Sequence, residues 1–312
     1  GRIMTKRMYP LDFEEFLWAN NVGKEAVAHL SDCFASKMSL DENAHSYMMD
    51  LFRKYLLIGG MPDAVNAFVG THNLVSVRAV QEEVYKLYRE DCSQYDSERK
   101  LHIRKIYDLI PSNLENTKKR VKVNEISGKK GKTMSDYEQE FDYIVNSGIA
   151  LEVSSISNPR FPLRDSMKKS LVKLYLNDVG LLTDLLFKYN ASAVLDDVPS
   201  INLGSVYENF VASELKAHGY SLYYYDNRKN GEVDFLVDDY DDLTAMPVEV
   251  KSGKDNKRHS SLDRFMDVKD YNIKRGLVLS NERTVSVKGR ITYLPIYFAM
   301  FLNSSGPESI MI

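Results

Sequence analysis

The sequence predicts an α+β chain built from a helical bundle, a winged helix and a terminal α/β domain with a mixed sheet. Three observations predict it. Apolar residues recur at helical spacing through the first quarter. Further helical stretches then lead into two short apolar runs that flank a Pro-containing loop. From Leu203 a helical stretch gives way to strand-like runs of valine, phenylalanine and leucine. At 312 residues the chain exceeds what one core usually organises, and its 44% hydrophobic content marks ordered structure. The units are expected at 1–92, 93–198 and 199–312.

In the first unit, Asp12 with Glu15 three residues on forms a capping box ahead of Phe13, Phe16 and Leu17. A second helix covers 23–35, and a third, over 41–58, aligns Ala44, Met48, Leu51, Phe52 and Tyr55 on one face. Gly59-Gly60-Met61-Pro62 stops it, and Pro62 suits the first turn of a following short helix. A longer helix over 73–91 turns Val77, Val80, Val84, Leu87 and Tyr88 inward. In the second unit, residues 98–110 form a basic amphipathic helix that Pro111 ends, with a shorter helix from Ser112. After the basic turn Gly128–Thr133, a helix over 134–146 aligns Tyr137, Phe141, Ile144 and Val145, and Gly148 closes it. The runs Ala150–Val153 and Leu171–Leu176 complete three helices and a hairpin, the winged-helix pattern. In the third unit a helix over 203–218 precedes strands near 221–226, 232–238 and 246–252. A helix from Ser260, a strand over 276–280 and a last strand over 293–298 follow.

A net charge of -3 excludes a general affinity for polyanions, so any nucleic-acid surface must be local. One basic stretch exists, through Arg99, Lys100, Arg104, Lys105, Lys118, Lys119, Arg120, Lys122, Lys129, Lys130 and Lys132. Its default reading is a solvated face or a contact to another domain. The helix over 134–146 would be the recognition helix, but Asp136, Glu138, Glu140 and Asp142 on it repel phosphates. Cys33 and Cys92 are too few for a disulfide framework and lack zinc spacing, and no apolar run is long enough to cross a bilayer. A cytoplasmic protein without a membrane partner is expected. Gly131-Lys132-Thr133 copies the end of a phosphate loop, but Ile126 stands where its first glycine belongs. No ATPase activity is therefore expected from this chain alone.

The chemistry concentrates in Glu232-Val233-Asp234-Phe235 and Val248-Glu249-Val250-Lys251. Strand side chains alternate, so Glu249 and Lys251 share a face, and pairing of the two strands can bring Asp234 to them. Mg²⁺ or Mn²⁺ takes oxygen ligands from one or two carboxylates, which Asp234 and Glu249 can supply, and Lys251 can hold the attacking water. The competing reading is a solvated hairpin face with Glu–Lys cross-strand pairs.

This spacing resembles the PD-(D/E)XK nuclease family, with helix, strand, strand, strand, helix, strand in the family's order. The resemblance makes Glu208 the helix acid, with Glu214 as a less suitable substitute, and Val233 replaces the proline that names the motif. A wider resemblance rests on Tyr9–Leu17, Gly59-Gly60-Met61-Pro62, Lys173–Leu182 and Val248–Lys254. Together these are similar to the C-terminal portion of bacterial and archaeal AAA-type ATPases that carry the DUF4143 domain. That resemblance implies an upstream ATPase core, with residues 1–8 as its last strand, the first helices as its lid, and ATP bound only in the longer protein. Pro62 would then be a nucleotide-sensing position; as a helix start it needs no such role. The resulting expectation is an effector region acting on DNA, with Glu208, Asp234, Glu249 and Lys251 catalytic and Lys254, Lys257 and Arg258 meeting substrate phosphate. The alternative is a nuclease-fold module without catalysis that serves protein or nucleic-acid interaction. The substrate and the oligomeric state do not follow from the sequence.

Overall fold

A computed structural model describes residues 7–91, 97–198, 200–253 and 260–304. The first part of the chain forms α1 (Phe13–Ala19), α2 (Lys24–Ala35), α3 (Glu42–Ile58), α4 (Pro62–Thr71) and α5 (Leu74–Glu90). Local chemistry sets their starts. Asp12 and Glu15 exchange both capping-box bonds, Asp41 caps α3, Asn73 caps α5, and Pro62 occupies the first turn of α4.

The middle part forms α6 (Ser97–Leu114), α7 (Asn124–Ser127), a 3₁₀ turn at Met134–Tyr137, α8 (Glu138–Asn146), β1 (Ala150–Ile156) and β2 (Met167–Leu176). Pro111 does not end α6. It lies in the last turn, where the missing N–H forfeits one helical bond, and it is buried beside Ile110 and Leu114. Two short helices absent from the sequence expectation follow, α9 (Val179–Phe187) and α10 (Ser192–Leu195).

The last part forms α11 (Gly204–Ala217), β3 (Tyr223–Asn227), β4 (Gly231–Asp239), β5 (Thr244–Lys251), α12 (Ser260–Met266), β6 (Gly276–Ser280), β7 (Ser286–Lys288) and β8 (Ile291–Pro295). The expected final strand is cut short, because Ile296–Phe301 turns into a 3₁₀ helix. Among the described residues one eight-stranded sheet has the order β2-β1-β3-β4-β5-β6-β8-β7. The β1–β2 hairpin is not a free wing, since the second edge of β1 pairs in parallel with β3. The sheet thus runs across the predicted boundary at 198/199. A main core joins the helices to one sheet face, with Phe52 and Phe210 rings 4.9 Å apart at its centre. A smaller core beneath α12 holds Tyr225, Val233, Leu236, Phe265 and Val278. Among the described residues no helix is long and apolar enough to cross a membrane.

Two of the sequence signatures meet in one joint. Asp178 caps α9 through Leu181 N–H at 3.0 Å, and its other oxygen accepts Gly60 N–H at 2.6 Å from 118 positions away. A Cβ at Gly59 would strike the Asp178 carboxylate, one at Gly60 the Leu11 carbonyl, and one at Gly180 the Ile58 carbonyl. The Gly-Gly-Met-Pro element and the Asn-Asp-Val-Gly element are therefore two sides of one backbone contact.

Candidate functional site

The β4–β5 ladder runs from Asp239↔Thr244 to Phe235↔Val248. One residue beyond it, the ladder gives way to a side chain, as Asp234 Oδ2 accepts the Val250 amide at 2.9 Å. The β3–β4 register also slips between Tyr223 and Tyr225, so Tyr224 faces both Asp234 and Phe235 across a bulge. The bulge and the open ladder end together place the Asp234 carboxylate beside the Glu-x-Lys segment of β5. There Lys251 Nζ donates to Glu249 Oε1 at 2.8 Å, while Glu249 Oε2 is buried without a partner.

Glu208 enters from α11, buried, with both oxygens occupied. Lys119 donates to Oε1, and the Tyr175 hydroxyl donates to Oε2 at 2.9 Å. Lys119 comes from the turn after α6, and its neighbours bond to the same sheet. Lys118 pairs with Asp226 at 2.8 Å and Glu232 at 3.7 Å, and Arg120 pairs with Asp226 at 2.6 Å. Lys173 of β2, fully buried, donates to Glu232 at 2.6 Å and lies 4.6 Å from the centre of the Tyr224 ring.

These positions set the electrostatics. Burial, then the charges of Glu249 and Glu208, hold the Asp234 carboxyl well above the usual carboxylate range. Burial also raises Glu249, against the opposing pull of Lys251. Burial alone would raise Glu208 as well, but the ammonium groups of Lys119 and Lys173 and the bonds it accepts bring it below its ordinary value. Burial disfavours the charged forms of Lys119 and Lys251, yet the acids around them raise both. The site is a set of mutually repelling carboxylates stabilised by amines.

Residues 203–299 match the family model of a domain of unknown function, DUF4143. This part of the chain is a DUF4143 region. Residues 49–192 match the model of another domain of unknown function, DUF8612. No curated protein and no solved structure matches the chain. All four predicted site residues, Glu208, Asp234, Glu249 and Lys251, lie in the DUF4143 region. Lys119, Lys173 and Tyr175, which complete the site, come from the DUF8612 match.

The donor set determines what the site can hold. Glu249 Oε2 has no partner, and Asp234 has one oxygen engaged by the Val250 amide. Two such carboxylates fit a hard divalent cation that keeps most of its waters. Glu208, with both oxygens engaged, is an electrostatic neighbour. Among the described residues, no three His, Cys, Asp or Glu side chains form a group that could hold a metal.

Glu214 does not join these acids. It accepts Phe13 N–H at 2.9 Å and fixes α1 to α11, and burial raises it to about 8. Pro62 lies on a separate cleft of about 440 Å³, lined also by Arg7, Tyr9, Tyr88, Asn177 and Lys216. Lys254, Lys257 and Arg258 lie outside the described residues. In the sequence Lys118, Lys119 and Arg120 appear only as part of a charge run. The available signal was Lys173, a cation inside the apolar run Leu171–Leu176, which requires an acid partner, here Glu232 of β4.

Proposed function

We propose that the DUF4143 region is a PD-(D/E)XK nuclease-like domain, the effector arm of an AAA-type ATPase that acts on DNA in the cytoplasm, and that it cleaves phosphodiesters with Mg²⁺ or Mn²⁺. One observation carries the reading: acids from a helix, a bulged strand and a Glu-x-Lys strand meet where β4 and β5 separate, close enough for each charge to shift the others. The element order supports it. α11 is followed by the antiparallel run β3–β4–β5, and α12 then leads to β6, which pairs in parallel with β5.

In this reading Asp234 and Glu249 hold the cation, which when bound polarises the phosphate and neutralises charge developing on it. Lys251 stays protonated beside Glu249, so it acts as a hydrogen-bond donor to water or phosphate and not as a base. Glu208 adds negative field without ligating. The test incubates the chain with plasmid and Mg²⁺ or Mn²⁺ beside Asp234→Ala and Lys251→Ala. We expect each variant to lose at least about 100-fold in rate, the scale of one removed transition-state group. Equal cleavage by parent and variants discards the assignment.

One observation favours a second reading, a nuclease-fold module without catalysis that serves interaction for the ATPase. The Glu208 charge is already satisfied by Lys119 and Tyr175. Calorimetry separates the two, since no Mg²⁺ or Mn²⁺ binding at millimolar metal supports the inert module. In either reading ATP belongs to a longer protein with an ATPase core. The Gly-Met-Pro element has a structural use here in the contact with Asp178.

A further inference from the structure

The turn after α6 carries three consecutive cations, and each is bonded to an acid of β3, β4 or α11. Lys118 reaches Asp226 and Glu232, Lys119 reaches Glu208, and Arg120 reaches Asp226. The backbone of this turn is fixed. Lys119 N–H donates to the Asn116 carbonyl at 3.1 Å, and Val121 N–H donates to the Val172 carbonyl at 3.0 Å. The side chains are not equally committed. Lys118 is 57% exposed and Arg120 26%, whereas Lys119 is 20% exposed and Glu208 5%. Long flexible cations on a pinned turn can change partner by rotating about their own bonds, with no movement of the chain.

We propose that Lys118, Lys119 and Arg120 serve as exchangeable counter-ions of the acid site: in the resting chain they neutralise Glu208 and its neighbours in place of a divalent cation, and a phosphate backbone takes them over as the cation enters. The proposal rests on the nuclease-like reading above and deepens it by naming how the site is kept silent. Three features support it. An ammonium bonded to Glu208 and within the field of Asp234 competes directly with a metal for the same negative potential. The three cations are in sequence, so they can follow successive phosphates. They also belong to the DUF8612 match while the acids belong to the DUF4143 region, so the contact couples the two matched parts.

The test measures two affinities on the full chain: Mn²⁺ by calorimetry, and a fluorescent mixed-sequence DNA duplex by anisotropy across a salt series. Lys119→Met removes the ammonium that competes with metal. Lys118→Ala, at an exposed position whose acid partner Asp226 keeps Arg120, guards against a variant that fails to fold. The expected result is opposite in sign for the two ligands. Mn²⁺ affinity rises about tenfold in Lys119→Met and about twofold in Lys118→Ala. Duplex affinity falls in both, with the salt slope reduced by about one for each cation removed. Equal Mn²⁺ binding by all three chains overturns the counter-ion role and leaves the metal site standing. No Mn²⁺ binding by any chain overturns both proposals. Affinities for metal and duplex that move together, as a purely structural lysine would cause, also overturn the exchange.

Discussion

The joint at Asp178 and the acid site beneath α11 use the same ingredient, a buried carboxylate, in two different ways. Asp178 is stabilised by backbone amides of Gly60, Met61, Gly180 and Leu181, with no cation, and burial still raises it to about 6. Glu208 and Glu249 are stabilised by side-chain ammonium groups, Lys119 and Lys173 from a separate part of the chain at Glu208 and Lys251 at Glu249, while Asp234 between them accepts the Val250 amide. An amide dipole is fixed by the fold and can serve only the group it faces. A lysine ammonium can be exchanged for another cation. Burial is common to both, so on the proposed reading it is the exchangeability of the partner that separates a structural carboxylate from a functional one.

The largest expected effect lies at the joint. Asp178→Ala leaves the Gly60 and Leu181 amides buried without acceptors and removes a helix cap, for a loss of roughly 3–5 kcal/mol in urea unfolding. The same variant, at temperatures where it is folded, keeps its Mn²⁺ affinity. A change in metal binding larger than about twofold would merge the joint with the site and break the comparison.

Glu214 gives the next effect, through pH. Its carboxyl accepts Phe13 N–H, and burial raises it from 4.5 to about 8 in the folded chain. A group raised on folding binds its proton more tightly in the native state. Its contribution is therefore full below pH 4.5 and is lost as pH rises toward 8. The urea midpoint of the parent should fall across that window relative to Glu214→Gln, which carries no titrating proton there. Parallel pH curves for the two proteins would show that Glu214 is ionised in the native state, and would place it with the cation-balanced acids.

Much of this was legible in the sequence, for identifiable reasons. Local signals such as Asp12 with Glu15, Pro62 at a helix start and Glu249-x-Lys251 on a strand act within a few residues, and they place helix starts and the strand acids correctly. What escaped depends on distant partners. Pro111 reads as a stop by its own chemistry, yet the helix continues to Leu114 with Ile110, Pro111 and Leu114 all buried in the tertiary core. The hairpin reads as a wing until β3 pairs with its open edge. Lys118, Lys119 and Arg120 look like a solvated run, because the acids that bond them lie about a hundred positions further along. The Gly-Gly-Met-Pro and Asn-Asp-Val-Gly signatures were both visible, but their contact was not, since neither contains a feature that names the other.

The smallest effect on stability tests the comparison most directly. Asp234 sits where Glu249 and Glu208 repel its charge, and burial already disfavours that charge. Replacing it with asparagine removes the repulsion and keeps an oxygen for the Val250 amide. Asp234→Asn should therefore be as stable as the parent or more stable by about 1 kcal/mol, the opposite sign to Asp178→Ala. It should also lose Mn²⁺ binding in calorimetry, because one of two ligands becomes neutral. Thermal melts and calorimetry on the same sample decide it. A variant destabilised by more than about 2 kcal/mol would mean that the Asp234 carboxylate is held for structure, as Asp178 is, and that the chemistry has to be sought elsewhere in the chain.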